Sequence, residues 1–276
     1  MPVFAHLTDL HLRPPGTMTL GTVDADRFVA AAVDTVNAKH PDVDAVLVTG
    51  DLADLGEEEA YARAAMLLAR FSAPVLVVPG NHDSTEVLRS VFAAFPGVRD
   101  PRVPGKVCHA VEIGGVTVVS LDTSVDGLAD GQHHGTLGGE QLDWLEETLL
   151  RAGPTLVAMH HPPFEVGIPF MDRIALTDAS AFAEVIARNE NVLRIVCGHV
   201  HRTIVGEVAG VPVIAVPGVA HQVQLALSPS DPPGMVMEPP AYGIHIVRRG
   251  RAISHVGYVD DFGPPVVFGG DETLEG

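Results

Sequence analysis

A layered α/β fold is predicted by two features of the sequence. Short β-branched runs alternate with helical patterns through the first two-thirds of the chain, and clusters of polar residues close those runs. Val3–Thr8 reads as a strand ending in polar residues. Asp24–Lys39 follows as a helix, with Ala25, Phe28, Val29, Ala32, Val33 and Val36 at helical spacing and Asp24 and Asp26 near the positive end of its dipole. Val43–Thr49 is the next strand, Glu57–Arg70 a helix with an acidic first turn, and Pro74–Pro79 a third strand. Lys106–Ile113 and Val116–Leu121 flank Gly114-Gly115, a two-residue hairpin signal. Gly139–Arg151 is predicted helical, and Thr155–Met159 and Val192–Cys197 are predicted buried strands separated by a helix around Ala179–Asn189. Thr203–Val208 and Val211–Val216 pair about Ala209-Gly210. Asp122–Leu137 and Leu227–Pro240, rich in Gly, Pro and Asp, read as loops. The second loop separates the body from a last strand pair, Tyr242–Arg248 and Ala252–Val259, and a loose tail.

Composition narrows the function. The 276 residues carry 17 Lys plus Arg against 35 Asp plus Glu, a formal charge of −18. Affinity for polyanions rests on Lys and Arg neutralising phosphates, so long nucleic acid and anionic membrane surfaces are excluded as partners. A hydrophobic content of 46% supports a large core in one big domain or two small ones. The longest apolar runs, Pro74–Pro79 and Val211–Pro217, fall far short of the roughly 18 residues of a spanning helix. Met1 to His6 has neither a basic nor an apolar leader region, so a cytoplasmic location is expected. Cys108 and Cys197, each within an apolar run, give neither a disulfide framework nor a Cys-rich zinc site. The unusual feature is 14 His in a chain that is only 5% aromatic.

The histidines explain themselves at the strand ends. The first strand closes in Asp9-Leu10-His11, the second in Gly50-Asp51 and the third in Gly80-Asn81-His82-Asp83. Later strands close in His160-His161-Pro162-Pro163 and Gly198-His199-Val200-His201. Each group follows an apolar run and precedes a turn, so all can project from the C-terminal edge of sheet, where open α/β sheets bind ligands. Carboxylate, imidazole and amide oxygen without thiolate suit Mn, Fe, Zn or Co. At least seven donors exceed the needs of one ion and point to two divalent ions sharing a carboxylate, an arrangement that clamps an in-line phosphoryl displacement.

These motifs, in this order across residues 6–202, resemble the calcineurin-like metallophosphoesterase family. Within it the chain is similar to the class III cyclic nucleotide phosphodiesterases and the bacterial glycerophosphodiesterases, through Thr8-Asp9-Leu10-His11-Leu12, Gly50-Asp51-Leu52-Ala53-Asp54, Leu121-Asp122-Thr123-Ser124 and His160-His161-Pro162-Pro163. The late segments Phe170-Met171-Asp172 and Pro217 to Val223 lean towards the glycerophosphodiesterases. The resemblance implies a four-layer αββα sandwich, two mixed β-sheets flanked by helices. It assigns residues 1–217 to the catalytic domain and leaves 218–276 as an extension that completes the sheet and forms a cap or a dimer contact in a homo-oligomer. It implies one metal held by Asp9, His11, Asp51 and His201, and a second held by Asp51, Asn81, His160 and His199, with Asp51 and a hydroxide between them. His82 would contact the phosphate and protonate the leaving oxygen, and Asp83 would orient His82. The implied substrate is a small phosphodiester, a 3′,5′-cyclic nucleotide first and a glycerophosphodiester as the alternative.

Other residues carry two readings each. His161 either caps the turn or borders the substrate, and His221 either borders the substrate pocket or occupies a surface turn. His133 and His134, in a Gly-rich loop, either reach substrate or are solvated. His6, His40, His109, His245 and His255 are expected to be structural or exposed, Trp144 to pack, and Asp42, Asp44 and Asp54 to be solvated loop or cap residues. A phosphomonoesterase or nucleotide pyrophosphatase on the same site would want more Arg or Lys near the phosphate than Arg13 and Arg202. A non-catalytic scaffold should have lost ligands, and none of the seven is missing.

Overall fold

The apolar runs form the strands, and the helical repeats between them form the outer layers. A computed structural model describes residues 1–99, 103–129 and 132–264. The first half contains β1 (Val3–Leu7), α1 (Ala25–Lys39), β2 (Ala45–Thr49), α2 (Glu58–Leu68), β3 (Val75–Val78), α3 (Thr85–Val91), β4 (His109–Ile113) and β5 (Val116–Leu121). The second half contains α4 (Gly139–Leu149), β6 (Thr155–Met159), α5 (Pro169–Asp172), α6 (Ala179–Ala187), β7 (Val192–Cys197), β8 (Ile204–Val208) and β9 (Val211–Ala215), then β10 (Gln222–Val223), β11 (Met235–Val236), β12 (Ala241–Arg248) and β13 (Arg251–Tyr258).

Two mixed sheets result, one in the order β13-β12-β1-β2-β3 and the other β4-β5-β6-β7-β9-β8, with β10 and β11 as a separate ribbon. The central strands β1, β2 and β3 are parallel, as are β5, β6, β7 and β9. β12 runs antiparallel to β1, with His6 opposite Gly243, and β13 pairs with β12. Side chains alternate between two environments, as the pleat requires. Leu47 and Leu76 meet Val118, Leu156, Ala158, Val196 and Ile214 between the sheets. Val46, Val48 and Val77 face the other way, against Val29 and Val33 of α1 and Tyr61 and Leu68 of α2. Val119, Val157 and Ile195 of the second sheet pack against Trp144 and Leu145 of α4 and Phe182 and Ile186 of α6. The architecture is the four-layer αββα sandwich. Truncating a fully buried middle-layer side chain such as Leu156 to alanine should cost about 2–5 kcal/mol.

The structure departs from the sequence reading in small elements. Predicted boundaries shift by one to three residues, as at Lys106–Ile113, where the strand begins at His109. Helix α3 is capped by the Ser84 side chain, which accepts from Val87 N, yet at seven residues it is too short to declare an apolar period. The Leu227–Pro240 segment is not wholly irregular, because Met235 and Val236 pair with Val223 and Gln222. The predicted tail lies outside the described residues from 265 onward, as do residues 130 and 131 of the Asp122–Leu137 loop. Among the described residues no helix is long and apolar enough to cross a membrane.

Candidate metal centre

The backbone is strained where the polar clusters leave the strands. Asp9, His11, Asp51, His199 and His201 have φ of 55°, 44°, 51°, 68° and 46°, so five of the eight described non-glycine residues with positive φ lie in these motifs. L-residues rarely occupy this left-handed region, and such strain persists only where the surroundings hold it. Here the bonds Asp9 N to Gly50 O (3.1 Å) and His11 N to Asp51 O (2.8 Å) hold it. The kinks turn successive side chains towards one point instead of opposite faces. Gly50 and Gly80 permit the crowding: a Cβ at the first would meet the His160 ring, and one at the second the Asp51 carboxylate.

Hydrogen bonds to oxygen acceptors fix the tautomer of each histidine. His11 Nδ1 donates to Asp54 Oδ1 (3.0 Å), and His201 Nδ1 to the His221 carbonyl (2.8 Å). In the neutral ring each Nε2 is therefore left as a lone pair, and the two Nε2 atoms face one another at 3.1 Å. Asp51 Oδ2 stands 3.4 Å from His11 Nε2, and Asp9 Oδ1 stands 3.3 Å from His201 Nε2. Asp9 Oδ2 is buried with no hydrogen-bond partner. A second convergence lies on the other side of Asp51. His160 Nδ1 donates to the Thr49 carbonyl (2.7 Å), which in the neutral ring leaves the Nε2 lone pair 3.0 Å from Asn81 Oδ1 and 3.4 Å from the same Asp51 Oδ2. His199 Nε2 donates to Ile174 O (3.2 Å), which leaves Nδ1 available.

The electrostatics favour positive charge here. Burial works against protonating His11 and His160, but the Asp54 bond with Asp51 and Asp9 raises the first, and Asp51 foremost raises the second to about 9. Burial opposes ionising Asp51, yet His160, His82 and His11 hold it well below the carboxylate range. Burial pushes Asp9 up to about 6. His201 is depressed to about 3 by burial and by His11, and His199 is depressed by burial and then by His161 and His160. Protons therefore cannot occupy every ring. A proton fills one gap between acceptors, whereas a divalent cation fills a whole cluster of them. Ligand atoms of Asp9, His11, Asp51 and His201 lie within 4.8 Å of one another, and carboxylate, imidazole and amide donors without thiolate fit hard or borderline ions.

The remaining predicted residues fall around this core. The His82 amide donates to Asp51 Oδ1 (2.9 Å) and its Nδ1 to the Asp54 carbonyl (2.8 Å), which leaves Nε2 as the unassigned ring nitrogen of a half-buried side chain lining the cavities. Asp83 does not orient His82. Its carboxylate accepts from Gly80 N, Leu52 N, Ala53 N and Tyr61 Oη at 2.8–3.1 Å, and so ties the loop after β3 to the loop after β2. His161 lines neither of the cavities at the centre. It is fully buried, with Nδ1 2.7 Å from Thr123 Oγ1 and Nε2 donating to His133 O at 2.9 Å. The His221 ring lies 4.8 Å from that of His201 and 5.1 Å from that of His11, and its buried Nδ1 has no hydrogen-bond partner.

Asp54 departs from the expectation of a solvated loop or cap residue. It is buried beneath His11, not solvated, with Arg13 Nη1 3.6 Å away. Its place three residues after Asp51 was the only signal in the sequence. His133, one of the two loop histidines, reaches Asn81 Nδ2 at 3.1 Å and stacks on His82 with ring centroids 5.1 Å apart.

A chamber of about 210 Å³ opens over the centre, walled by Phe170, Met171, Ile174, Val223 and Met235. A more open polar cleft of about 700 Å³, bordered by Glu86, Asp126 and Gln132, shares Asp54, Asn81, His82 and His133 with it. Among the described residues no Lys or Arg lines either space.

Known proteins resemble the chain in sequence and in fold. The family model for calcineurin-like phosphoesterases matches residues 2–203. A protein of Rhodopseudomonas palustris named "Probable cyclic nucleotide phosphodiesterase" is 39% identical over 257 residues, covering 91% of this chain and 90% of its own. One of Arcobacter nitrofigilis named "Probable glycerophosphodiester phosphodiesterase GpdQ" is 28% identical over 270 residues, covering 96% of each. The crystal structure of a dimetal phosphatase from Danio rerio shares the fold, with a TM-score of 0.62 at 16% identity over 92% of this chain and 98% of that one. On the family match and the 39% identity, the chain belongs to the calcineurin-like phosphoesterase family.

Proposed function

We propose that the protein is a phosphodiesterase that hydrolyses small phosphodiesters, 3′,5′-cyclic nucleotides foremost, with two divalent cations of the Mn, Fe, Zn or Co type. The observation that carries this reading is the pair of Nε2 lone pairs of His11 and His201, 3.1 Å apart with both Nδ1 protons committed elsewhere. Asp9, His11, Asp51 and His201 would hold one ion, and Asp51, Asn81, His160 and His199 the other. Bound there, two cations supply charge neutralisation at the entering and leaving oxygens of an in-line displacement and make water more acidic.

The chain's own side chains supply the rest. His82, its Nδ1 anchored on the Asp54 carbonyl, can hold at Nε2 the proton that the leaving oxygen needs. Phe170, Met171 and Ile174 offer an apolar wall to the uncharged arm of a diester and keep bulk water away. A phosphomonoester dianion would call for added cations, but Arg13 is engaged by Glu57 (2.8 Å) and Arg202 by Glu238 (2.9 Å) and the Val223 carbonyl (2.7 Å). The 39% identical relative supports the cyclic nucleotide. A glycerophosphodiester is the second reading, supported by the GpdQ relative that aligns over 96% of the chain.

A substrate panel on chelator-stripped protein tests the proposal. Hydrolysis of a nitrophenyl phosphodiester should vanish on stripping and return with Mn²⁺, Co²⁺ or Zn²⁺, and 3′,5′-cyclic AMP should be turned over faster than glycerophosphodiesters or nitrophenyl phosphate. Turnover by the stripped protein would overturn the metal assignment, and a preference for the monoester would overturn the substrate class.

A further inference from the structure

Asn81 presents a problem peculiar to amides. Its Oδ1 and Nδ2 are nearly equal in size and shape, yet only the oxygen can face a cation, so something must select between the two rotamers. Oδ1 lies 3.0 Å from His160 Nε2, on the side of the proposed ions, while Nδ2 lies 3.1 Å from His133 Nδ1. A ring nitrogen that accepts from Nδ2–H would repel Oδ1 in its place. The acceptor is itself fixed. His161 Nε2 donates to the His133 carbonyl (2.9 Å), and the other ring nitrogen is bonded to Thr123 Oγ1 (2.7 Å). Gly135, two residues beyond His133, lies so close to the His161 ring that a Cβ there would collide with it. The loop carrying His133 is thus clamped to the strand end that carries His160.

We propose that His133, held by His161, is a positioning residue that selects the Asn81 rotamer and thereby sets the affinity of the ion that Asn81, His160 and His199 would share. This rests on the two-ion reading above. Removing partners that orient a metal ligand typically weakens metal binding by about 10–100-fold.

The rival role for His133 is a flat wall stacked on His82 at an interplanar angle of 12°. Two variants separate the roles. His133→Phe keeps the ring and removes the acceptor, whereas His133→Asn removes the ring and returns an acceptor oxygen near the Nδ1 position. Mn²⁺ titration of the stripped full-length chain, followed by calorimetry and electron paramagnetic resonance without substrate, should show two ions in the parent. His133→Phe should weaken one ion by about 10–100-fold and leave the other and the metal-free melting temperature in place. His133→Asn should bind within a few-fold of the parent. In an Asn81→Asp background both terminal atoms are oxygen, so His133→Phe should there cost little further affinity.

Parent-like binding by His133→Phe, equal loosening of both ions, failure of His133→Asn to recover, or an undiminished loss in the Asn81→Asp background would each overturn the proposal. A parent that takes up fewer than two ions would overturn the two-ion reading and the proposal with it.

Discussion

Thr49 joins two groups of buried histidines that resolve their hydrogen bonding in opposite ways. Through its hydroxyl it meets His6 Nε2 (2.7 Å); His6 Nδ1 meets His245 Nε2 (3.1 Å), and His245 Nδ1 meets Ser254 Oγ (2.8 Å). Protons alone close that chain, because each link can pair one donor with one acceptor. Through its carbonyl Thr49 accepts from His160 Nδ1, and beyond it His160, Asn81, Asp51, His11, His201 and Asp9 turn acceptors on acceptors. Both groups are buried, so burial does not distinguish a structural histidine from a metal ligand. The fate of the second ring nitrogen does.

Substitutions on the two sides of Thr49 should therefore fail differently. His82→Ala removes the proposed proton donor without removing a proposed ligand, so turnover should fall by about 10²–10⁴-fold with both ions retained, as metal analysis beside steady-state kinetics would show. Loss of an ion instead would place His82 among the ligands. Asp54→Ala removes the acceptor that fixes the His11 tautomer, and one ion should bind about 10–100-fold more weakly by calorimetric titration.

On the other side of Thr49, His245→Leu strands His6 Nδ1 and Ser254 Oγ, and should cost about 1–3 kcal/mol in urea unfolding while ion uptake stays unchanged. Acid should reveal the same pair most gently. Burial, helped by Arg194, depresses His245 to about 3, and burial, helped by His245, depresses His6. The folded chain thus refuses protons that the unfolded chain binds below about pH 6.5. Stability from this pair is complete above that pH and declines as pH falls, by about 1.4 kcal/mol per unit for each histidine. Denaturant unfolding of the parent and of His245→Leu at pH 7, 6 and 5 isolates the pair's share, and the variant should show the shallower loss; equal slopes would mean that the pair is charged in the fold.

Much of this was legible in the sequence, for a physical reason. Strand periodicity placed Asp9, Asp51, Asn81, His160 and His199 each just after an apolar run, and parallel strands bring such ends to one edge. What the sequence hid was direction after the strand ends. A continued pleat would point the adjacent His160 and His161 to opposite faces, but their rings meet edge to face with centroids 4.9 Å apart, because the chain is already turning. Asp83 was paired with its neighbour His82, whereas its side chain turns back to three backbone amides. Asp54 resembled a loop carboxylate, since nothing local shows that His11 lies over it. His133 belongs to a loop whose placement depends on His161, 28 residues later. Positive φ at five motif residues has no glycine to announce it, so the convergence could be named from motifs but not from local geometry.

Cations, not protons, should occupy the space between the facing ring nitrogens of His11 and His201. Anomalous diffraction from crystals grown with Mn²⁺ tests it most directly. Two anomalous peaks should appear, one ligated by His11 Nε2, His201 Nε2 and Asp9, the other by His160 Nε2, Asn81 Oδ1 and His199 Nδ1, with Asp51 Oδ2 contacting both. No peak there, or a single peak that leaves His11 and His201 facing each other as before, would contradict it.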